Sequence, residues 1–341
     1  MKILKIGFLS SFLLLFMFLA GCATTPKLTT ESFYVPARDA GIELYVRNKR
    51  PEGVTKFDPE KIVLFVSGAT YPAESVFDVP LDGMSWMDYI AQRGYDVYLM
   101  DVRGYGASTR PPEMSRPPSE NPPIVHTDVA VKDVGAVVDH ILARRNAPKI
   151  NLIGWSWGTA IMGGYTAQNS NKVERLVLVA PKWVRTTPFL VRGQGAYRGV
   201  DMDSAKKRWL TGVPQEKQKD LIPPGWFELW AKSALESDPV GAKKTPPVVR
   251  APNGVIEDEQ KYWNAGIPYY DPSKINGPVL LIHAEWDSDT PAYMSQTLFG
   301  KLVNAPLKRY VVIGEGTHTV IMEKNRMQLF REVQLFLDEP K

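Results

Sequence analysis

The order of apolar segments predicts an α/β fold: one mostly parallel central sheet flanked by helices, carrying a single helical cap insertion. Three observations support this. Short, nearly continuous apolar runs at residues 61–67 (KIVLFVS), 95–100, 150–153, 172–180 and 278–283 have the length and composition of strands covered on both faces. Segments with apolar residues at helical spacing lie between them, so strand and helix alternate as parallel pairing requires. The alternation lapses once, from Trp183 to about Lys274, and then resumes, which places an insertion inside one sheet domain.

The N-terminus reads as a processed segment. Lys2 and Lys5 precede an apolar stretch over residues 6–19, which ends in Leu19-Ala20-Gly21-Cys22. The stretch is short for a membrane span. Small residues before the only cysteine of the chain resemble the lipobox of bacterial lipoprotein precursors, which implies cleavage after residue 21 and lipid on Cys22. A plain secretory signal or a short anchor are the competing readings. Several acyl chains on one residue anchor a protein stably, where one chain binds only marginally. Ala23 and Thr24 follow, with no aspartate at the second position, so in a Gram-negative cell the expected site is the periplasmic face of the outer membrane.

Residues 22–31 read as a polar tether. Two β-like stretches follow at 32–36 and 42–47, with Asp39-Ala40-Gly41 as the turn between them. Residues 84–93 carry Trp86, Met87, Ile90 and Ala91 at helical spacing and stop at Gly94, a C-cap residue. The proline-rich segment 110–123 (RPPEMSRPPSENPP) reads as a stiff surface loop. Residues 131–144 form an amphipathic helix that leads into the strand at 150–153. After the insertion come a strand at 278–283, a helix at 291–303, a strand at 308–313 and a closing helix over about 320–337. The domain reading is thus core at 32–182, cap at 183–274 and core again at 275–341.

Composition narrows the function classes. The chain is 44% hydrophobic and 23% charged, as in a globular protein with a substantial core. Removing Lys2 and Lys5 leaves 39 basic against 37 acidic residues, a net of +2, and no basic patch points to nucleic acid. Scattered histidines lack metal-ligand spacing, and Gly104 and Gly106 lack the spacing of a dinucleotide loop. No cofactor, metal or protein partner is expected.

The chemistry centres on residues 149–159 (KINLIGWSWGT), a G-x-S-x-G pattern between a strand and a helix. A serine on so sharp a turn needs small neighbours two residues either side, and the turn lifts its hydroxyl off the sheet edge. Serine is a poor nucleophile at neutral pH, so it needs a base and the base needs an orienting acid. Of four histidines, His126 ends the proline-rich loop, His140 falls on a polar helix face and His283 ends a strand. His318 lies in Gly314-Glu315-Gly316-Thr317-His318, directly after the last strand, and is the expected base. The acid is sought after the 278–283 strand, in His283-Ala284-Glu285-Trp286-Asp287-Ser288-Asp289. Asp287 is favoured, Asp289 is its rival and Glu285 is weaker; one aspartate could instead cap the next helix. Two oxyanion donors are also needed, and the N–H groups of Trp157 and Ala69 are the candidates.

Four motifs in this order resemble the α/β-hydrolase superfamily: the Ser156 turn, the D-x-R-G-x-G-x-S stretch at 101–108, the acid turn at Asp287 and the histidine loop at His318. The resemblance covers about residues 33–337. Ser67-Gly68 stands where the family often has His-Gly, and Ala284 where it often has Gly. A serine nucleophile argues against the dehalogenase and epoxide-hydrolase relatives, which attack with aspartate. It implies acyl transfer from a small acyl substrate to water, as in an esterase, lipase or thioesterase. The Ser156–Thr159 run also resembles proline iminopeptidases, which need a carboxylate for the substrate amine; Glu228, Glu236, Glu257 and Glu259 could supply one. Acyl transfer to an alcohol or amine uses the same groups, and a binding protein on this scaffold would not need all three. Substrate choice is expected to lie in the tryptophan-rich insertion.

Overall fold

A computed structural model describes residues 26–187 and 194–340. Cys22 and the segment before it lie outside the described residues. The strands run β1 (Leu28–Pro36), β2 (Glu43–Pro51), β3 (Ile62–Val66), β4 (Asp96–Met100), β5 (Ile150–Trp155), β6 (Val173–Val179), β7 (Tyr197–Asp201), β8 (Val248–Pro252), β9 (Val279–Ala284) and β10 (Lys308–Ile313). Eight of them form one sheet in the order β1-β2-β4-β3-β5-β6-β9-β10. β1 pairs antiparallel with β2 and β2 with β4; every later neighbour pair is parallel.

The helices are α1 (Ala73–Phe77), α2 (Trp86–Ala91), α3 (Thr127–Arg145), α4 (Trp157–Gln168), α5 (Met202–Trp209), α6 (Gln218–Leu221), α7 (Trp226–Glu236), α8 (Gly254–Asp258), α9 (Ala292–Lys301) and α10 (Arg326–Asp338). Two cores lie on the two faces of the sheet, and the period-2 alternation of each strand feeds both. In β3, Val63 and Phe65 join the core under α2 and α10, while Ile62, Leu64 and Val66 join the core under α3, α4 and α9. This is why the strand reads as an unbroken apolar run. Full burial of each such side chain stabilises the fold by about 1.5–3 kcal/mol.

Several boundaries differ from the sequence reading. The tether does not extend to residue 31, because β1 begins at Leu28 and pairs along its whole length with β2. It is an edge strand whose first half, Thr29 to Ser32, is polar, and Arg50 donates to Glu31 across the pair. The closing helix is broken: a short 3-10 turn at Val320–Met322 precedes α10, because Glu323 turns inward to the loop before it. The proline-rich loop is no free surface loop, since Met114 is buried against Ala196 and Tyr197. The insertion also holds a two-stranded antiparallel sheet of β7 and β8 beside its helices. Its tryptophans are pillars. Trp209 and Trp230 join one core and Trp183 and Trp263 the other, all of them fully buried.

Candidate active site

Ser156 lies between β5 and α4 at φ 56°, ψ −122°, a conformation that costs a non-glycine residue about 1–3 kcal/mol and persists only where the surroundings enforce it. Its neighbours show how. A Cβ on Gly154 would fall on the backbone carbonyl of Gly158, and one on Gly158 would fall on the carbonyl oxygens of Val66 and Ser67. The Ser156 N–H donates to the Val179 carbonyl at 3.0 Å, which ties the turn to β6. A Cβ on Gly68 would stand 2.8 Å from Ser156 Cβ, so glycine lets the loop after β3 approach the hydroxyl.

His318 and Asp287 complete a continuous array. Ser156 Oγ stands 2.8 Å from His318 Nε2, and His318 Nδ1 stands 2.9 Å from Asp287 Oδ2. Trp155 Nε1 donates to the His318 carbonyl at 2.8 Å, which fixes the loop from β5. The buried Glu323 carboxyl accepts from the Thr317 N–H at 2.9 Å and from the hydroxyls of Thr317 and Thr319, bracing both sides of the histidine. Burial pushes the Glu323 carboxyl up to about 7.

The two candidate aspartates take different partners. Asp287 Oδ1 accepts the N–H groups of Asp289 and Thr290, each at 2.9 Å, and Oδ2 accepts the Thr290 hydroxyl at 2.7 Å. Asp289 instead pairs with Arg208 at 2.6 Å, and its nearer oxygen is 4.0 Å from His318 Nε2. Burial raises the Asp289 carboxyl, but Arg208, His318 and Lys182 together outweigh it and hold the group at about 2. Glu285 turns away and accepts the Glu315 N–H at 2.8 Å.

Trp157 and Ala69 line the same cavity as Ser156 and His318. Among the described residues no protein acceptor takes either N–H. The Trp157 indole donates to Thr127 Oγ1 at 2.9 Å, and Thr127 donates in turn to Asp258 at 2.6 Å, so the first turn of α4 is anchored. The other three histidines stay outside the array. His126 bonds Asp258, His140 lies tilted against Phe33, and His283 is buried in β9.

The stretch at 101–108 is a brace. Asp101 accepts the N–H groups of Ala73 at 2.7 Å and Ala107 at 3.2 Å, and Arg103 forks onto Asp133.

The cavity over Ser156 measures about 550 Å³. Its charged wall comes from Lys182, Arg185, Arg198 and Arg208, with Glu259 and Asp289 opposing them, a net of +2 from four cations and two carboxylates. None of the four cations was singled out from the sequence. Nothing in a linear run of residues 182–208 shows that these side chains converge, and β7 itself was unforeseen. The array can move a proton from Ser156 Oγ to His318 Nε2 and hold the charge that forms against Asp287.

Known proteins agree with this architecture. The family described as the alpha/beta hydrolase fold matches residues 63–325. A Synechocystis sp. protein with the provisional name non-heme chloroperoxidase is 23% identical over 266 residues, which cover 74% of this chain and 86% of the relative. An esterase from Thermogutta terrifontis superposes with a TM-score of 0.58 at 14% identity, covering 90% of this chain and 98% of that one. An enol-lactonase from Burkholderia xenovorans LB400 gives 0.59 at 15% identity, over 90% and 100% of the two chains. Likenesses at such identities show the fold alone, whereas the family match spans most of the sequence. The chain belongs to the alpha/beta hydrolase fold family.

Proposed function

We propose that this hydrolase cleaves carboxylic esters through Ser156, His318 and Asp287. The observation that carries the reading is the unbroken line from Asp287 Oδ2 through His318 to Ser156 Oγ, with both contacts below 3 Å. Ser156 Oγ attacks the ester carbonyl carbon as its proton passes to His318 Nε2. The oxyanion that forms is held by the N–H groups of Ala69 and Trp157. Collapse breaks the C–O bond of the alcohol, which takes the proton from His318 and leaves an acyl group on Ser156. Water then gives a proton to the same nitrogen and attacks the acyl carbon; the bond from that carbon to Ser156 Oγ breaks, Oγ takes the proton back from His318, and the acid is released. Asp287 keeps the histidine in the required tautomer and stays ionised.

The aminopeptidase alternative finds little support in the cavity. It needs a spare carboxylate for a substrate ammonium. Of the four insertion glutamates considered, only Glu259 lines the cavity, and it is already paired with both Lys182 and Arg185. Glu257 faces His126, while Glu228 and Glu236 pair with lysines outside the cavity. We propose also that lipid on Cys22 holds the enzyme at a bacterial envelope membrane. Fluorophosphonate labelling, followed by a panel of p-nitrophenyl esters and aminoacyl amides, tests the activity. Labelling of Ser156 with ester turnover is expected; turnover of the amides alone would replace the ester reading.

A further inference from the structure

We infer that Arg198 is an anion-recognition residue and that the substrates are esters carrying a carboxylate away from the scissile bond. This rests on the ester-hydrolase reading above and names its substrate class.

The four cations of the cavity wall are not equivalent. Lys182 and Arg185 share Glu259, and Arg208 is bound to Asp289. Arg198, projecting from β7 into the same cavity as Ser156, has only neutral partners. Nη2 donates to Thr70 Oγ1 at 2.7 Å, and Nη1 donates to the Pro252 carbonyl at 2.8 Å and to Asn253 Oδ1 at 3.2 Å. Three of the five N–H donors of the guanidinium are thereby used, leaving the Nε–H and one Nη2 hydrogen. Among the described residues no carboxylate pairs with it. The segments outside the described residues, 1–25 and 188–193, contain no Asp or Glu, and neither does position 341, so every acidic side chain is accounted for.

Arg198 is partly buried, and a guanidinium withdrawn even partly from water without a counter-charge carries a cost, since a buried charge is ordinarily paired. Burial holds Arg198 below the usual arginine range; the Tyr105 and Tyr71 phenols oppose this, the nearby Arg208 charge adds to it, and no carboxylate takes part. The three neutral acceptors hold the fork in a set orientation. A carboxylate brought by the ligand would supply the missing charge and two acceptor oxygens, the geometry an arginine fork matches best. The bond to Thr70 places this cation one residue from Ala69, the expected oxyanion donor, so the ligand's charge would lie close to the reacting carbonyl. The remaining wall reinforces the preference: Lys182 and Arg185 share one carboxylate and Arg208 balances Asp289, so one surplus positive charge lies at the Lys182–Arg185–Glu259 group and the other at Arg198.

A purely structural role is the competing account. Thr70 sits at φ 128°, and Arg198 could serve only to brace that turn. A brace would affect all esters alike, whereas recognition affects only the charged ones. The test compares matched substrates that differ only in carboxylate against carboxamide, with the charge on either side of the ester. One pair is the p-nitrophenyl half-ester of adipic acid and its terminal amide. The other is 3-(4-acetoxyphenyl)propanoate and its amide. The readout is the ratio of kcat/KM, charged over neutral, in the wild type and in Arg198→Gln, with fluorophosphonate labelling of each protein as the check that the site is intact.

For at least one pair the wild-type ratio is expected to favour the carboxylate by about ten- to a hundredfold, the range of a charge-assisted hydrogen bond, and Arg198→Gln should bring it near one. A wild-type ratio at or below one in both pairs, or a preference that survives in Arg198→Gln, overturns the proposal. If the variant does not fold, competitive inhibition of wild-type turnover by adipate but not by adipamide takes its place; equal inhibition by both overturns the proposal equally. Absence of labelling and of turnover on every ester would instead remove the ester-hydrolase reading itself.

Discussion

Ser156 is held at φ 56° by two carbonyl contacts that leave no room for a side chain at residues 154 and 158. Its hydroxyl meets only one base, which defines the sharpest test. Ser156→Ala is expected to lower kcat for ester hydrolysis by about 10⁴-fold or more, measured with the best p-nitrophenyl ester of the panel. Near-normal turnover would remove the serine from the mechanism. The two aspartates divide in the same way. Asp287→Asn removes the carboxylate that fixes the His318 tautomer and should cost about 10⁴-fold in kcat. Asp289→Asn only releases Arg208 and should cost far less. The opposite ranking in steady-state kinetics would exchange their roles.

The elements around the array act as a mould. Gly158 packs on the β3 carbonyls, so Gly158→Ala pushes backbone against backbone and should cost about 1–3 kcal/mol in chemical denaturation. The loop that carries His318 is held from below by Glu323. That carboxyl is raised from its ordinary 4.5 to about 7 by burial, so at intermediate pH folding takes up a proton. Its contribution to stability is full below pH 4.5 and is lost as pH rises through 7, a change of about 3 kcal/mol across the window. Glu323→Gln, which mimics the protonated form, should flatten the fall of Tm between pH 4.5 and 7. An unchanged slope in a calorimetric series would show that another group is responsible.

At the scale of the whole molecule, the insertion works as a frame. Four of its tryptophans fill the two cores, and its arginines, with Lys182 just before it, form the charged cavity wall above Ser156. The expectation that the tryptophan-rich segment governs substrate choice therefore changes in content. The segment does line the cavity, through Arg185, Arg198, Arg208 and Glu259 together with Thr211, Val255 and Ile256, and none of its described indoles is among the lining residues. The N-terminus sets where this cavity faces if Cys22 carries lipid. Cys22→Ser should abolish incorporation of labelled fatty acid and move the protein from the membrane fraction to the soluble fraction. Persistent acylation or unchanged fractionation would count against the anchor.

The sequence by itself determined the sheet order of events: buried strands at 62–66, 96–100 and 150–155, a serine turn after the third parallel strand, and a histidine after the last. These are local matters, because two-sided burial demands continuous apolar runs and a strained turn demands glycine at both flanks. It also narrowed the acid to Asp287 or Asp289. Only the tertiary structure shows which of them meets His318, because two aspartates two residues apart differ only in the partner each finds, His318 or Arg208. Tertiary structure alone likewise decided that β1 begins at Leu28, since an edge strand needs no apolar signal, and that Glu323 turns inward under the histidine loop. The convergence of Lys182, Arg185, Arg198 and Arg208 on one cavity is of the same kind. Charged residues are ordinary in sequence, and their meaning comes from which of them finds a counter-charge when the chain closes around Ser156.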